Sequence, residues 1–250
     1  MFPYKDENPT YLTPVVTIGI IVLNALAWLL IQGAGTPEAL SRSVCDLGAI
    51  PGELLGRVPP GTSVELGPGV QCVLEGRNYL DALSSMFLHG GWMHLIGNMV
   101  FLWVFGNNIE DAMGHGRFVV FYLLCGVAAV AAQVVVSPTS PIPMVGASGA
   151  ISGVLGAYLL LYPKVRVHTL IFLGFFVSRV ALPAYVMLGY WILLQFLGGL
   201  PALAGVEGGG VAFWAHIGGF VTGLVLIRVF ARSDYLARRP VHTAEYLHWR

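Results

Sequence analysis

Four side chains of this sequence have the chemistry that acyl transfer requires: Ser148, His216, His94 and Asn98. A serine hydroxyl is a weak nucleophile until a base takes its proton, and histidine is the usual base. His94 and Asn98 are four residues apart, so they share one face of a helix. Both can donate hydrogen bonds to an oxygen that gains negative charge. The set predicts Ser148 as nucleophile, His216 as general base, and His94 and Asn98 as oxyanion donors.

The surroundings of Ser148 refine this hypothesis. Ser148 follows Val145, Gly146 and Ala147 at a predicted helix start, where backbone N–H groups lack partners within the helix. The Ser148 amide is therefore a further candidate donor to the oxyanion. No Asp or Glu of the apolar segments stands near these residues to orient His216. The sequence thus predicts a Ser–His dyad and not a triad.

Metal chemistry is an alternative use of the histidines. His89, His94 and His216 could approach one another, but no carboxylate or cysteine completes a metal site at a useful spacing. The sequence also lacks Cys-x-x-Cys, His-Glu-x-x-His and the phosphate-binding Gly-x-x-x-x-Gly-Lys-Ser/Thr pattern. We therefore expect no metal and no cofactor.

The elements that position these residues are expected to lie in a lipid bilayer. Of the 250 residues, 56% are hydrophobic and 10% are charged, whereas a soluble domain has about 25% charged residues. The 13 basic residues balance the 13 acidic ones. This composition excludes a basic protein that binds nucleic acid and a disordered chain, and it makes the bilayer the expected partner.

Six segments approach the roughly 20 apolar residues that a membrane-spanning helix requires. They are Pro14–Ile31, Trp92–Asn107, Phe118–Val136, Val145–Tyr162, Val180–Leu200 and Val211–Phe230. A seventh apolar stretch, Thr169–Val177, is too short to span and is expected at the membrane interface. The prediction is an all-α membrane protein with a bundle of six transmembrane helices.

The basic residues indicate the orientation of this bundle, since they concentrate on the cytoplasmic side of membrane proteins. With both termini cytoplasmic, ten basic residues fall in inner segments and three in outer segments. The inner ones are Lys5, Arg117, Lys164, Arg166, Arg179, Arg228, Arg232, Arg238, Arg239 and Arg250, and the outer ones are Arg42, Arg57 and Arg77. The chain then divides into a cytoplasmic segment 1–13, a membrane domain 14–230 with a large exterior first loop 32–91, and a cytoplasmic tail 231–250.

In this orientation the four candidate residues share one depth. Each lies two to six residues inside the outer end of its span, so at about 1.5 Å of rise per residue all four fall roughly 3–9 Å below the outer surface. Small residues allow helix backbones to approach closely in lipid. Gly149 follows Ser148 in the fourth span, and Gly219 and Gly223 follow His216 on one face of the sixth. We expect these glycines to bring the serine and the histidine together.

Two of the three cysteines, Cys45 and Cys72, fall in the exterior loop, while Cys125 lies in the third span. An oxidising exterior would allow Cys45 and Cys72 to form a disulfide. The sequence leaves open whether they pair or remain separate thiols.

Three motifs carry a resemblance to a known family. The stretch from Ser85 to Asn98 (SMFLHGGWMHLIGN), Gly146–Gly149 (GASG) and Ala215–Gly219 (AHIGG) resemble, in this order, the rhomboid family of intramembrane serine proteases. The resemblance covers most of the chain from about Tyr79 to Phe230, together with the first span. It implies Ser148 as nucleophile, His216 as base, and His94, Asn98 and the Ser148 amide as an oxyanion hole. It also implies that His89 is structural or lines the cavity.

The function that this resemblance implies is hydrolysis of peptide bonds in or near transmembrane segments of other membrane proteins. The expected location is the cytoplasmic membrane of a prokaryote. Some family members have a tyrosine four residues after the serine, stacked on the histidine, where this chain has Ser152. The alternative is a non-catalytic polytopic protein, either a pseudoprotease that binds membrane clients or a transporter.

Overall fold

The structure is a computed structural model that describes residues 1–67, 70–174, 176–204 and 210–237. The first third of the chain forms β1 (Phe2–Asp6), α1 (Val15–Leu26) with a π-helical extension (Ala27–Ile31), α2 (Pro37–Leu47), α3 (Pro51–Leu54), β2 (Ser63–Gly67), β3 (Val70–Val73) and α4 (Asp81–Ser84). The remainder forms α5 (Trp92–Phe101), a π-helical turn (Leu102–Gly106), α6 (Asn107–Met113), α7 (His115–Val136), α8 (Ser148–Leu161), β4 (Arg166–Leu173), β5 (Phe176–Pro183), α9 (Ala184–Leu203), α10 (Phe213–Phe230) and α11 (Ser233–Leu236).

Three of the described helices, α7, α9 and α10, are long and apolar enough to cross a membrane. Two apolar helices are shorter: α1 with its extension, and α8. Ten of the 14 residues of α8 are buried, so this helix runs through the centre of the protein. The chain is therefore a mostly helical integral membrane protein.

The second apolar helix is longer than predicted. The sequence placed its end at Asn107, but α5, the π-helical turn and α6 continue one another to Met113. Gly114, with φ of +84°, ends this run in a conformation that favours glycine. Polar side chains of α6 are tolerated because they are buried in contact with other parts of the protein.

The expectation of an all-α protein is wrong in part, because the structure contains two small sheets. β1, β4 and β5 form an antiparallel sheet in the order β1-β4-β5, and β2 pairs with β3. The apolar stretch Thr169–Val177 makes up much of the β4–β5 hairpin. Its β-branched and aromatic residues favour strands, and Gly174, with φ of +62°, suits the turn between them.

The central packing is between α8 and its neighbours α7 and α10. Gly219 and Gly223 of α10 lie against the carbonyl oxygens of Gly149 and Gly153 on α8, so a methyl group at either position of α10 would collide with the backbone of α8. The helices can approach this closely because neither glycine carries a side chain.

The segment between α1 and α5 packs at the end of the bundle where α8 begins. Cys45 and Cys72 are joined in a disulfide across a sequence separation of 27 residues. Ala49 and Met144 exchange two backbone hydrogen bonds, of 3.0 and 2.8 Å. The disulfide-closed segment therefore lies beside the stretch of chain that leads into Ser148.

A buried polar network occupies the other end of α7. The buried Glu110 carboxylate accepts hydrogen bonds from the N–H and hydroxyl of Thr17, at 2.8 and 2.7 Å, and lies 2.6 Å from Nδ1 of His115. Asp111 accepts from the backbone of residues 11 and 12, and the N–H of Arg232 donates to the carbonyl of Ala112 at 3.0 Å. The N-terminal segment and the chain after α10 thus meet at one end of the bundle.

Candidate active site

Ser148 and His216 lie in hydrogen-bond contact although they are 68 residues apart in the chain. Ser148 is the first residue of α8, and His216 lies in the first turn of α10. The Ser148 Oγ and His216 Nε2 atoms are 2.8 Å apart. This is the distance over which a base can take the proton of a serine hydroxyl.

A third helix contacts His216 through residues that the sequence reasoning missed. On α9, Gln195 Oε1 lies 2.8 Å from His216 Nδ1. The ring of Trp191, one turn earlier, lies 5.8 Å from the imidazole at an interplanar angle of 40°. Gln195 carried a signal in the sequence, because a polar residue within an apolar span is a functional candidate by default.

Ser152 does not take the place of the aromatic residue that the family resemblance suggested near the histidine. Its hydroxyl donates to the carbonyl of Ser148 on its own helix, at 2.6 Å. Such bonds to the residue four positions earlier are common for serines within helices. The aromatic contact with His216 comes instead from Trp191, on a different helix.

His94 faces the same region from α5. The Gly90 N–H donates to Nδ1 of His94 at 3.2 Å. A ring nitrogen that accepts a hydrogen bond carries no proton, so in the neutral imidazole the proton is on Nε2. That Nε2 lies 2.8 Å from where a Cβ on Gly146 would stand, and Ser148 Oγ lies 3.4 Å from the same point. The donor nitrogen of His94 and the hydroxyl of Ser148 therefore border one small space.

Asn98 and the start of α8 supply further donors. Asn98 is 8% exposed, and its Nδ2 has no hydrogen-bond partner among the described residues. A buried amide without a partner is costly, so the group is available to an oxygen of a bound molecule. The first N–H groups of α8, including that of Ser148, likewise lack partners within the helix.

Glycines shape the space beside Ser148. Gly146 has φ of +131°, in the region that favours glycine, and a side chain there would press on His94 Nε2. A methyl group at Gly149 would stand 2.7 Å from the Cβ of Ala129 on α7. A larger residue at either position would displace a helix or fill the space between His94 and Ser148.

His89 is fully buried and packs its ring against that of His94, with centroids 5.1 Å apart. Burial, together with the nearby His94, lowers the pKa of His89 to about 3. Gln32 holds the backbone of His89 through two hydrogen bonds of 2.8 Å. His89 therefore supports the position of His94 and does not contact Ser148 through any described hydrogen bond.

One cavity of about 480 Å³ lies between these elements, and His89 is not among the residues that line it. Its walls come from α5, α7, α8, α9 and α10 and from the chain that leads into α8. Its lining includes His94, Asn98, Ser148, Gln195 and His216. The structure thus brings all four residues predicted from the sequence to a single site and adds Gln195.

Comparison with known proteins identifies one family. A family model described as a rhomboid domain matches residues 76–233. The chain is 38% identical to Rhomboid protease GluP of Bacillus subtilis (strain 168) over 98 residues, which are 39% of this chain and 19% of that protein. It is 33% identical to RHOMBOID-like protein 4 of Arabidopsis thaliana over 162 residues, which are 64% of this chain and 36% of that protein. It is 32% identical to Rhomboid-like protease 5 of Toxoplasma gondii over 171 residues, which are 65% of this chain and 18% of that protein. The matches span well under half the length of these relatives.

Proposed function

The chain belongs to the rhomboid family, and on that premise we propose that it is a serine endopeptidase that hydrolyses peptide bonds in or near transmembrane segments of other membrane proteins. The observation that carries the proposal is the 2.8 Å contact between Ser148 Oγ and His216 Nε2 inside a cavity lined by free donors. Two of the three relatives described above are named as proteases, which supports the same activity.

In the proposed mechanism Ser148 Oγ attacks the carbonyl carbon of the substrate while Nε2 of His216 takes the hydroxyl proton. The oxygen that becomes negative is stabilised by the Ser148 amide, by Nε2–H of His94 and by Nδ2 of Asn98. His216 then gives its proton to the departing amine, leaving an acyl-enzyme on Ser148. His216 next takes a proton from a water molecule, whose oxygen attacks the acyl carbon. It returns that proton to Ser148 Oγ as the ester bond breaks, which restores the serine and releases the acid. No step requires a metal or a cofactor.

We also propose that residues 14–230 form a membrane domain of six helices, with segments 1–13 and 231–250 on the cytoplasmic side and loop 32–91 outside. The backbone of Leu12 donates to Asp111 and that of Arg232 to Ala112, so both ends of the chain contact α6, which supports a shared side for both termini. The pairing of β1 with β4 supports the same side for the α8–α9 connection. The tail is described only to Ala237, so Arg238, Arg239 and Arg250 lie outside the described residues. The bacterial relative supports the cytoplasmic membrane of a prokaryote.

Labelling with a fluorophosphonate, which reacts with activated serines, tests the proposal. We expect the purified native protein to be labelled, and labelling to be lost in both Ser148→Ala and His216→Ala while each variant keeps the native melting temperature. A native protein that is not labelled, and that binds a membrane client without cleaving it, would favour the non-catalytic alternative. Labelling that persists in Ser148→Ala would refute the dyad.

The topology has its own test. Two variants each carry one cysteine: Thr62→Cys in the outer segment and Ser178→Cys in the β4–β5 hairpin. Intact cells that contain either variant are treated with a maleimide that does not cross membranes. Only the cysteine at position 62 is expected to react before the cells are broken. Reaction of both in intact cells would contradict the proposed orientation.

A further inference from the structure

Gln195 is a buried polar residue on α9, a helix on which most residues are exposed or half-buried. Five residues of α9 are buried: Ala184, Met187, Leu188, Gln195 and Gly199. Gln195 is 9% exposed. A buried amide within a membrane span is costly unless its donors and acceptor are paired. Its hydrogen bonds therefore indicate what this side chain does.

The contacts of Gln195 define which end of its amide faces His216. Gln195 Nε2 donates to the carbonyl oxygen of Trp191 at 3.3 Å. Since a carbonyl oxygen only accepts, the nitrogen must be on that side, which leaves Oε1 at 2.8 Å from His216 Nδ1. Oε1 also only accepts, so Nδ1 carries the proton of the neutral imidazole. The lone pair of Nε2 then faces the hydroxyl of Ser148.

We propose that Gln195 is a positioning residue for the Ser148–His216 pair, holding the neutral imidazole in the tautomer and orientation in which Nε2 can take the serine proton. In serine hydrolases with three residues a carboxylate does this. Here an uncharged amide on a third helix occupies the corresponding place. The proposal rests on the proposed function, because it assigns Gln195 a role only if His216 is the base.

Substitution of Gln195 separates positioning from substrate binding. Gln195→Leu keeps a similar volume but removes the acceptor, so Nδ1–H is unpaired and the ring populates both tautomers and several orientations. We expect the rate constant for labelling of Ser148 at saturating fluorophosphonate to fall about 10- to 100-fold. The fluorophosphonate concentration that gives half-saturation is expected to stay within about twofold of the native value. In the proposed role the Gln195 amide bonds to His216 and Trp191 and does not contact the probe. Gln195→Glu retains an acceptor for Nδ1–H and is expected to recover most of the lost rate.

Two controls accompany these variants. Leu194→Ala changes the neighbouring, exposed position of α9 and is expected to label at the native rate. ¹⁵N NMR of the histidines in the native protein, assigned by comparison with His216→Ala, reports the tautomer directly and does not depend on how the Leu variant folds. We expect a neutral His216 protonated at Nδ1 in the native protein and a mixture in Gln195→Leu.

The outcomes distinguish the two proposals. Absence of Ser148-dependent labelling in the native protein refutes the proposed function. Ser148-dependent labelling at an equal rate in Gln195→Leu and the native protein refutes the role of Gln195 alone. The role of Gln195 is also refuted if the neutral His216 of the native protein is protonated at Nε2. It is refuted as well if Gln195→Leu changes only the half-saturating probe concentration and leaves the rate constant unchanged.

Discussion

A methyl group added at Gly219 is expected to separate the nucleophile from its base. The Cβ of an alanine there would collide with the carbonyl oxygen of Gly149, which belongs to the backbone of α8 and cannot rotate away. Restoring an ordinary contact of about 3.5 Å requires α8 and α10 to move apart by roughly 1 Å or more. Ser148 and His216 are carried by these two helices, and their hydrogen bond is 2.8 Å long. A separation near 3.8 Å is no longer a hydrogen bond.

The magnitude follows from the cost of misplacing reacting groups. A displacement of about 1 Å lowers catalysis on the order of 100-fold, so Gly219→Ala is expected to label with fluorophosphonate about 100-fold more slowly than the native protein. Gly189→Ala on α9 is the matched control, because nothing lies within 4 Å of the added methyl group. It is expected to label at the native rate. If Gly219→Ala retains the native rate with an unchanged melting temperature, then the glycine contact does not position the dyad.

Three further predictions concern the oxyanion donor and the outer segment. Asn98→Ala is expected to slow Ser148 labelling on the order of 10- to 1,000-fold; an unchanged rate would remove Asn98 from the oxyanion hole. Burial and the Glu53 carboxyl raise the pKa of Asp81 from 3.8 to about 6, and a raised carboxyl pKa stabilises the fold below the unfolded value and loses that stabilisation as the pH rises to about 6. Asp81→Asn should therefore have a higher melting temperature than the native protein above pH 6 and a smaller advantage at pH 4. A difference in melting temperature that is the same at both pH values would contradict this. The opposite pH effect of His89 is present in both proteins and cancels in the comparison. Reduction of the Cys45–Cys72 disulfide is expected to lower the melting temperature by roughly 5 °C or more and to leave Cys45→Ser unaffected; equal sensitivity of the two proteins to reductant would argue against the bond.

The residue types and their depth were sufficient to predict that Ser148, His216, His94 and Asn98 share a site. A membrane span has few reasons to contain a histidine or an asparagine, so each polar residue in one is informative. By the same criterion Gln195 is also a candidate, because it is a polar residue within an apolar segment. The sequence could not show that Gln195 faces His216, since that depends on how α9 is rotated against α10.

The strands were harder to anticipate because hydropathy was the guide. The β4–β5 stretch is apolar enough to suggest the membrane interface, and only its β-branched and aromatic content around Gly174 distinguishes a hairpin. The pairing of β1 with β4 joins residues about 165 positions apart and leaves no local signal in the sequence. The continuation of the second apolar helix through α6 was missed for a related reason, since the backbone and hydroxyl groups that donate to Glu110 come from the start of α1, more than 90 positions away.

The bond between Cys45 and Cys72 has a consequence for how the protein is made. In the proposed topology both thiols meet an oxidant only after the first loop has been translocated. A chain inserted in the reverse direction would keep them in the reducing cytosol and would lack the cross-link. In that topology, the disulfide in a mature molecule indicates that its first loop was translocated. A non-reducing gel of newly synthesised chains would separate correctly inserted molecules from inverted ones without any added tag.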